Sequence, residues 1–206
     1  MKQVFYVIVF FLVSQVQAQK ATNKSFSSKG ISALVIDGNM VFKMHIETAK
    51  TQTISIQSLA EGEYSEEVVL ITQIKNNTLY ISSKYQPLFV GDNDKLSAHK
   101  VISIEHKLVI PEQLNLSISS SLASVFLYGN YNQVTTELIN GSFLAKNFQG
   151  NLLVNTIHGD IKVETNQATA EVSSKHGKVD QAVLGNGNNQ IILNSINGNI
   201  TVTKSE

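Results

Sequence analysis

The chain contains no cysteine and no arginine. Without Cys there is no disulfide framework, no thiolate metal site and no lipid anchor carried on a cysteine. Every fixed cation is therefore a lysine, and the preferred bidentate ligand for carboxylates and phosphates is missing. The formal net charge is zero. A neutral, Arg-free surface argues against nucleic acid, where clustered Lys and Arg supply most of the affinity. Beyond the first residues, no stretch is apolar enough to span a bilayer, which takes roughly 20 such residues.

What is present starts with an address. Lys2 precedes an apolar run from Val4 to Val13, followed by "SQVQAQ". Small or apolar Val16 and Ala18 suit positions −3 and −1 of a secretory signal peptide. Residues 1–18 are expected to be that signal, cleaved after Ala18. Residues 19–29 are polar and rich in Ser and Lys, and are expected to form a disordered lead. An exported, cysteine-free chain fits a bacterial envelope, with periplasm, outer cell surface or medium as destination. It must be stabilised by its core alone, and its length allows that.

Internal repetition dominates the second half. Gly141, Gly159, Gly177 and Gly198 stand at the centres of "NGSF", "HGDI", "HGKV" and "NGNI". Two positions after each stand Phe143, Ile161, Val179 and Ile200. Five positions before stand Thr136, Val154, Val172 and Leu193. Alternate positions on both sides are small or apolar, the period-two pattern of strands with one buried face. Each repeat reads strand, tight turn, strand, with positive φ expected at the Gly.

The same text allows two architectures. Asn-Gly turns make antiparallel hairpins. Near-equal repeats of 18–21 residues also suit a β-solenoid, whose stacked turns align equivalent residues about 4.8 Å apart. Equal lengths favour the solenoid. Stacking in chain order would set His158 beside His176 and make a continuous inward column Phe143–Ile161–Val179–Ile200. Lys175 replaces the Ile of positions 139, 157 and 196, and Gln181 replaces Ala145, Val163 and Val202. Both departures predict a poorly packed third repeat. "LGNGNN" at Leu184–Asn189 reads as an inserted loop.

The first half is strand-rich without a convincing helix. Strands are expected at Ile31–Ile36, Met40–Glu47, Thr53–Ser58, Val68–Ile74, Thr78–Ser83 and Ile102–Ile110. The segment Gln86–Ser97 is the least regular. The fold class expected is all-β, with an irregular part at 30–111 and regular repeats at 112–206, forming one domain over 30–206.

Chemistry is thinly represented. His158 and His176 are half of a metal site at most, and Asn140 and Asn197 take the same slot, so a turn role suffices. Asp92 and Asp94 begin like a calcium loop, but its later ligands do not follow. The acids of the repeats, Glu137, Asp160, Glu164, Glu171 and Asp180, fall in different columns, unlike the paired carboxylates of glycosidases. Phe126, Tyr128 and Tyr131 are expected to pack as a layer over the first repeat rather than to form a sugar platform. No catalytic, metal-binding or cofactor-binding residue is expected, and no cofactor.

The signal, the front half, the stretch "KLVIPEQLNLSISSSLASVFLYGNY" and the four Gly phrases together resemble bacterial adhesin-like envelope proteins with a head GIN domain, and related β-strand-repeat domains of unknown function. The likeness runs from about Ile31 to the end. It implies a right-handed β-solenoid-like fold without recognised catalytic residues. The function expected is non-enzymatic: an adhesin-like binding or scaffolding module, with an envelope protein or glycan as partner and no transmembrane span in the mature chain. The alternatives are a carbohydrate-active β-helix enzyme and a periplasmic protein-contact partner in envelope-stress signalling.

Overall fold

The computed structural model describes residues 19–90 and 102–205. The signal segment, Asp92 and Asp94 lie outside the described residues. The fold is all-β, with one short 3-10 turn at Ser65–Glu67 among the described residues. The strands are β1 (Lys20–Ser27), β2 (Ala33–Asp37), β3 (Lys43–Ala49), β4 (Thr53–Glu61), β5 (Val68–Lys75), β6 (Thr78–Tyr85), β7 (Ser103–Pro111) and β8 (Asn115–Ser120). They continue as β9 (Ser124–Asn140), β10 (Phe143–His158), β11 (Ile161–Thr165), β12 (Ala168–Ser174), β13 (Val179–Gln181), β14 (Asn189–Ser195) and β15 (Ile200–Lys204). All join one mixed sheet, whose main path runs β1-β4-β7-β3-β9-β10-β11-β15-β13.

The repeats pair in parallel, not as antiparallel hairpins. Strands β9 and β10 are long because each bends and serves twice. The first part of β9 pairs with β3 and its second part with β8. The first part of β10 pairs with β11 and its second part with β14. Two rows result. One is β7-β3-β9-β10-β11-β15-β13, and the other is β6-β2-β8-β9-β10-β14-β12. Antiparallel pairing is confined to the front half, in β1–β4, β4–β7 and β5–β6. There Lys20–Ser27, expected as part of a disordered lead, is β1. Its alternation places Thr22, Lys24 and Phe26 on one side, and its full length pairs with β4.

Each row buries alternate residues. One inward column runs Ile36–Ile118–Thr136–Val154–Leu193–Val172. Another runs Met44–Val125–Phe143–Ile161–Ile200–Val179. All but Val172 and Val179 are buried in one core; Val172 packs against it half-buried, and Val179, at the outer edge, is 45% exposed. At roughly 1.5–3 kcal/mol for each large apolar side chain buried, this core is the main favourable term.

The spatial order departs from the order of the chain. The pair β14–β15 lies between β10–β11 and β12–β13. The repeat around Gly177 is therefore outermost, and the last repeat fills the place beside the second. The inward column is Phe143–Ile161–Ile200–Val179, not the chain-order column expected. His158 and His176 are not neighbours, because Asn197 stands between them. The long connection after β13 carries the chain back to that inner place.

This position accounts for Gln181. Its equivalents Ala145, Val163 and Val202 are buried, whereas Gln181 lies on an outer edge and is exposed. Lys175 has a different reason. The slots of Ile139, Ile157 and Ile196 face outward, 37–47% exposed, so lysine there costs no packing. A Lys directly after the edge strand β12 also discourages another chain from adding to it.

The marker glycines correct a further expectation. Only Gly141 has positive φ, at 112°. Gly159, Gly198 and Gly177 are there because the backbones approach too closely for a side chain. A Cβ on Gly159 would overlap the Gly141 carbonyl, one on Gly198 that of Gly159, and one on Gly177 that of Gly198.

Candidate functional site

One outward site lies on the row containing β3, β7, β9 and β10. Strand alternation sends Val125 and Leu127 inward and Phe126 and Tyr128 outward. The register then aligns Lys107–His45–Phe126–Leu144 in one line and Val109–Glu47–Tyr128–Lys146 in the next. Together they line a groove of about 590 Å³. His45 stacks on Phe126 at 4.6 Å between ring centroids and 14° between planes. Partial burial, then the Lys43 charge, lowers the His45 pKa, while Glu105 opposes weakly. The imidazole is thus held toward its neutral form, which stacks without a charge to desolvate. Tyr128 is 50% exposed. The groove pairs a flat apolar floor with the ammonium groups of Lys107 and Lys146 and one carboxylate, Glu47. That equipment suits binding by stacking and hydrogen bonding. A second carboxylate facing Glu47 is not among the lining residues.

The expected packing layer is therefore divided. Tyr131 is buried, stacks on Phe148 at 5.6 Å and donates its hydroxyl to the Ile46 carbonyl at 2.9 Å. Phe143 and Phe148 are likewise core. Phe126 and Tyr128 are not: they face outward, and their in-register neighbours come from an earlier strand, β3, as well as a later one, β10. The signal available in the sequence was phase. Phe126 and Leu144 share the 18-residue spacing but sit one place off the buried set.

A second outward feature borders the glycine corner. Ile139, Ile157 and Ile196 form an exposed column beside a concavity of about 490 Å³. Alongside it, Asn194 Nδ2 donates to Asn155 Oδ1 at 3.0 Å. At the corner itself, the Asn197 amide contacts both imidazoles: His176 Nδ1 lies 2.8 Å from its Oδ1, and its Nδ2 lies 3.0 Å from His158 Nδ1. Asn140 Nδ2 donates to the Ser121 carbonyl at 3.1 Å. The polar column is thus a ladder of turn contacts.

Beneath the corner runs a hydroxyl line, buried at Thr156 and Ser195 and half-buried at Ser174, that pattern reading passed over. Thr156 Oγ1 donates to the Gly159 carbonyl at 2.9 Å, and Ser174 Oγ to that of Gly198 at 2.7 Å. Ser195 Oγ accepts from the Gly198 amide at 2.8 Å. The legible signal was Ser or Thr three residues before the Gly in "TIHG", "SKHG" and "SING".

Among the described residues one Ser–His hydrogen bond is present, and it is sealed. His106 points inward from β7 with no exposed surface, its Nε2 3.2 Å from Ser83 Oγ and its Nδ1 without a partner. Burial lowers its pKa to about 4, with the Glu105 backbone pulling the other way by less. No substrate reaches a pair enclosed in the core.

No helix among the described residues is long and apolar enough to cross a membrane. No protein-family model matches the chain, and no curated protein sequence matches it. Solved structures do. A "putative cell adhesion protein" from Clostridium sporogenes matches at a TM-score of 0.63 and 16% identity, covering 91% of this chain and 100% of that one. A "putative adhesin" from Bacteroides fragilis matches at 0.45 and 10%, covering 90% and 98%. The chain thus shares its all-β fold with a bacterial protein described as a cell adhesion protein.

Proposed function

We propose that this chain is an exported, non-enzymatic binding or scaffolding module of a bacterial cell envelope, adhesin-like in role. We read its parallel rows as a β-solenoid whose flat outer faces carry the partner, an envelope protein or a glycan. The observation that carries this reading is the groove formed by His45, Phe126, Tyr128 and Leu144. Outward rings on β3 and β9, with Leu144 of β10 in register beside them, have no folding role that requires their exposure. Adhesion named for the Clostridium sporogenes relative supports the same direction.

The test is a pull-down from intact envelope fractions beside a glycan array, with wild type, Phe126→Ala and Tyr128→Ala. Loss of capture in both variants, with the unfolding midpoint nearly unchanged, is expected. Capture that survives both removes the groove as the binding surface. A second reading, protein contact alone, is favoured by the exposed Ile139–Ile157–Ile196 column, because a contiguous apolar strip suits a protein partner. Ile157→Ser would then abolish capture while Tyr128→Ala would not.

A further inference from the structure

At the bends opposite the glycine corner, three turns come together: the bend within β10, the turn between β11 and β12, and the connection between β13 and β14. They enclose a concavity of about 730 Å³, with seven Asn or Gln among its ten lining residues and no charged side chain. Turn geometry explains two of these amides, since Asn147 and Gln167 have positive φ of 45° and 49°. It does not explain Gln149, Asn186 or Asn188, which are absent from the positive-φ residues. Internal bonding uses two: Asn166 donates to the Ser205 carbonyl at 3.0 Å, and Asn147 to Tyr128 Oη at 3.3 Å. The side chains of Gln149, Gln167, Asn186, Asn188 and Asn189 make no hydrogen bond to the protein among the described residues. Five carboxamides thus line one concavity without a protein partner.

We propose that this pocket binds a neutral oligosaccharide. A carboxamide offers two donors and an acceptor in one plane, and vicinal sugar hydroxyls answer with both. Among the described residues the lining holds no cation to pair with a uronate, sulfate or phosphate, and no anion for an amine, so a charged group would lose its hydration uncompensated. The volume lies within the range of about 300–1,000 Å³ usual for small-ligand sites. The mostly polar lining does not suit an aromatic or lipid ligand. Tyr128, whose hydroxyl accepts from Asn147, stands beside the pocket rather than in its lining. The assignment rests on the chain being a binding module, and gives that module a ligand class.

The experiment uses an array of neutral tri- and tetrasaccharides of glucose, mannose, galactose and N-acetylglucosamine, with glucuronate and galacturonate oligomers as acidic comparators. The best neutral ligand is then titrated while the side-chain amide resonances are followed by NMR. Binding of neutral oligomers in preference to acidic ones is expected, with shifts at Gln149, Gln167, Asn186 and Asn188. Asn186→Ala with Asn188→Ala, and separately Gln149→Ala, should weaken binding roughly fivefold per amide removed. Gln57→Ala, on the exposed side of β4 and in neither concavity, should leave this binding within about twofold, less than one lost hydrogen bond. Neutral glycans that bind but respond only to Phe126→Ala overturn the pocket and leave the binding module standing. Capture of an envelope protein with no neutral glycan bound does the same. A chain that captures neither overturns both readings.

Discussion

Acidification should destabilise this protein through His106 before its carboxylates titrate. In the unfolded chain the imidazole has its ordinary pKa near 6.5, and in the fold burial lowers it to about 4. The folded state therefore resists the proton that the unfolded state accepts. Stability is complete above about pH 6.5 and is lost as pH falls through that value toward 4. The full difference of roughly 2.5 pKa units corresponds to about 3 kcal/mol. Between roughly pH 7 and pH 5, where carboxylates scarcely change, the loss is about 2 kcal/mol. The geometry supports this sign, because Nδ1 has no acceptor for the extra proton. Urea denaturation across this pH range measures it directly. His106→Leu, flanked by Met44, should flatten the pH dependence whatever its offset in neutral stability, and His106→Gln is the substitute if Leu fails to fold. Equal slopes for wild type and variant would refute the reasoning.

Thr136 Oγ1 is buried without a partner between Ile118 and Val154, so Thr136→Val should raise stability by about 1 kcal/mol, measured by urea midpoint; a drop would mean the hydroxyl is satisfied after all. Gly159→Ala should cost about 1–3 kcal/mol by forcing two backbones apart. Gly185→Ala, whose Cβ would meet nothing closer than Gln167 Cγ at 3.6 Å, should be near neutral, and equal effects would remove the close-approach account.

Much of the fold is written in period-two alternation. That pattern placed β3 to β7 nearly where they lie, because each strand's inner set is continuous and apolar. It also fixed which residues of each repeat share a row. It could not fix the order of the rows' members. Phe143, Ile161, Val179 and Ile200 are interchangeable as inward residues, and only Gln181 and the long connection after β13 hinted that the Gly177 repeat is an edge. β1 was missed because "KATNKSFS" hides a weak alternation of Thr, Lys and Phe behind its polarity. The groove was missed for a related reason: its partner residue His45 lies 81 places before Phe126, and no local pattern joins them. The amide pocket draws on three separated turns, each unremarkable alone.

The interleaving of the last two repeats bears on how the molecule takes a load. In a stack that follows its chain, the final strand is outermost and peels away one hydrogen bond at a time. Here β15 is flanked by β11 and β13, and β14 by β10 and β12. A pull applied beyond Lys204 must draw β15 out of a slot and break ladders on both sides together. The outermost repeat, for its part, is held by the chain at both of its ends and has no free tip from which to fray. The sheet is clasped where a plain stack would be weakest, and tension is met in shear across two neighbours.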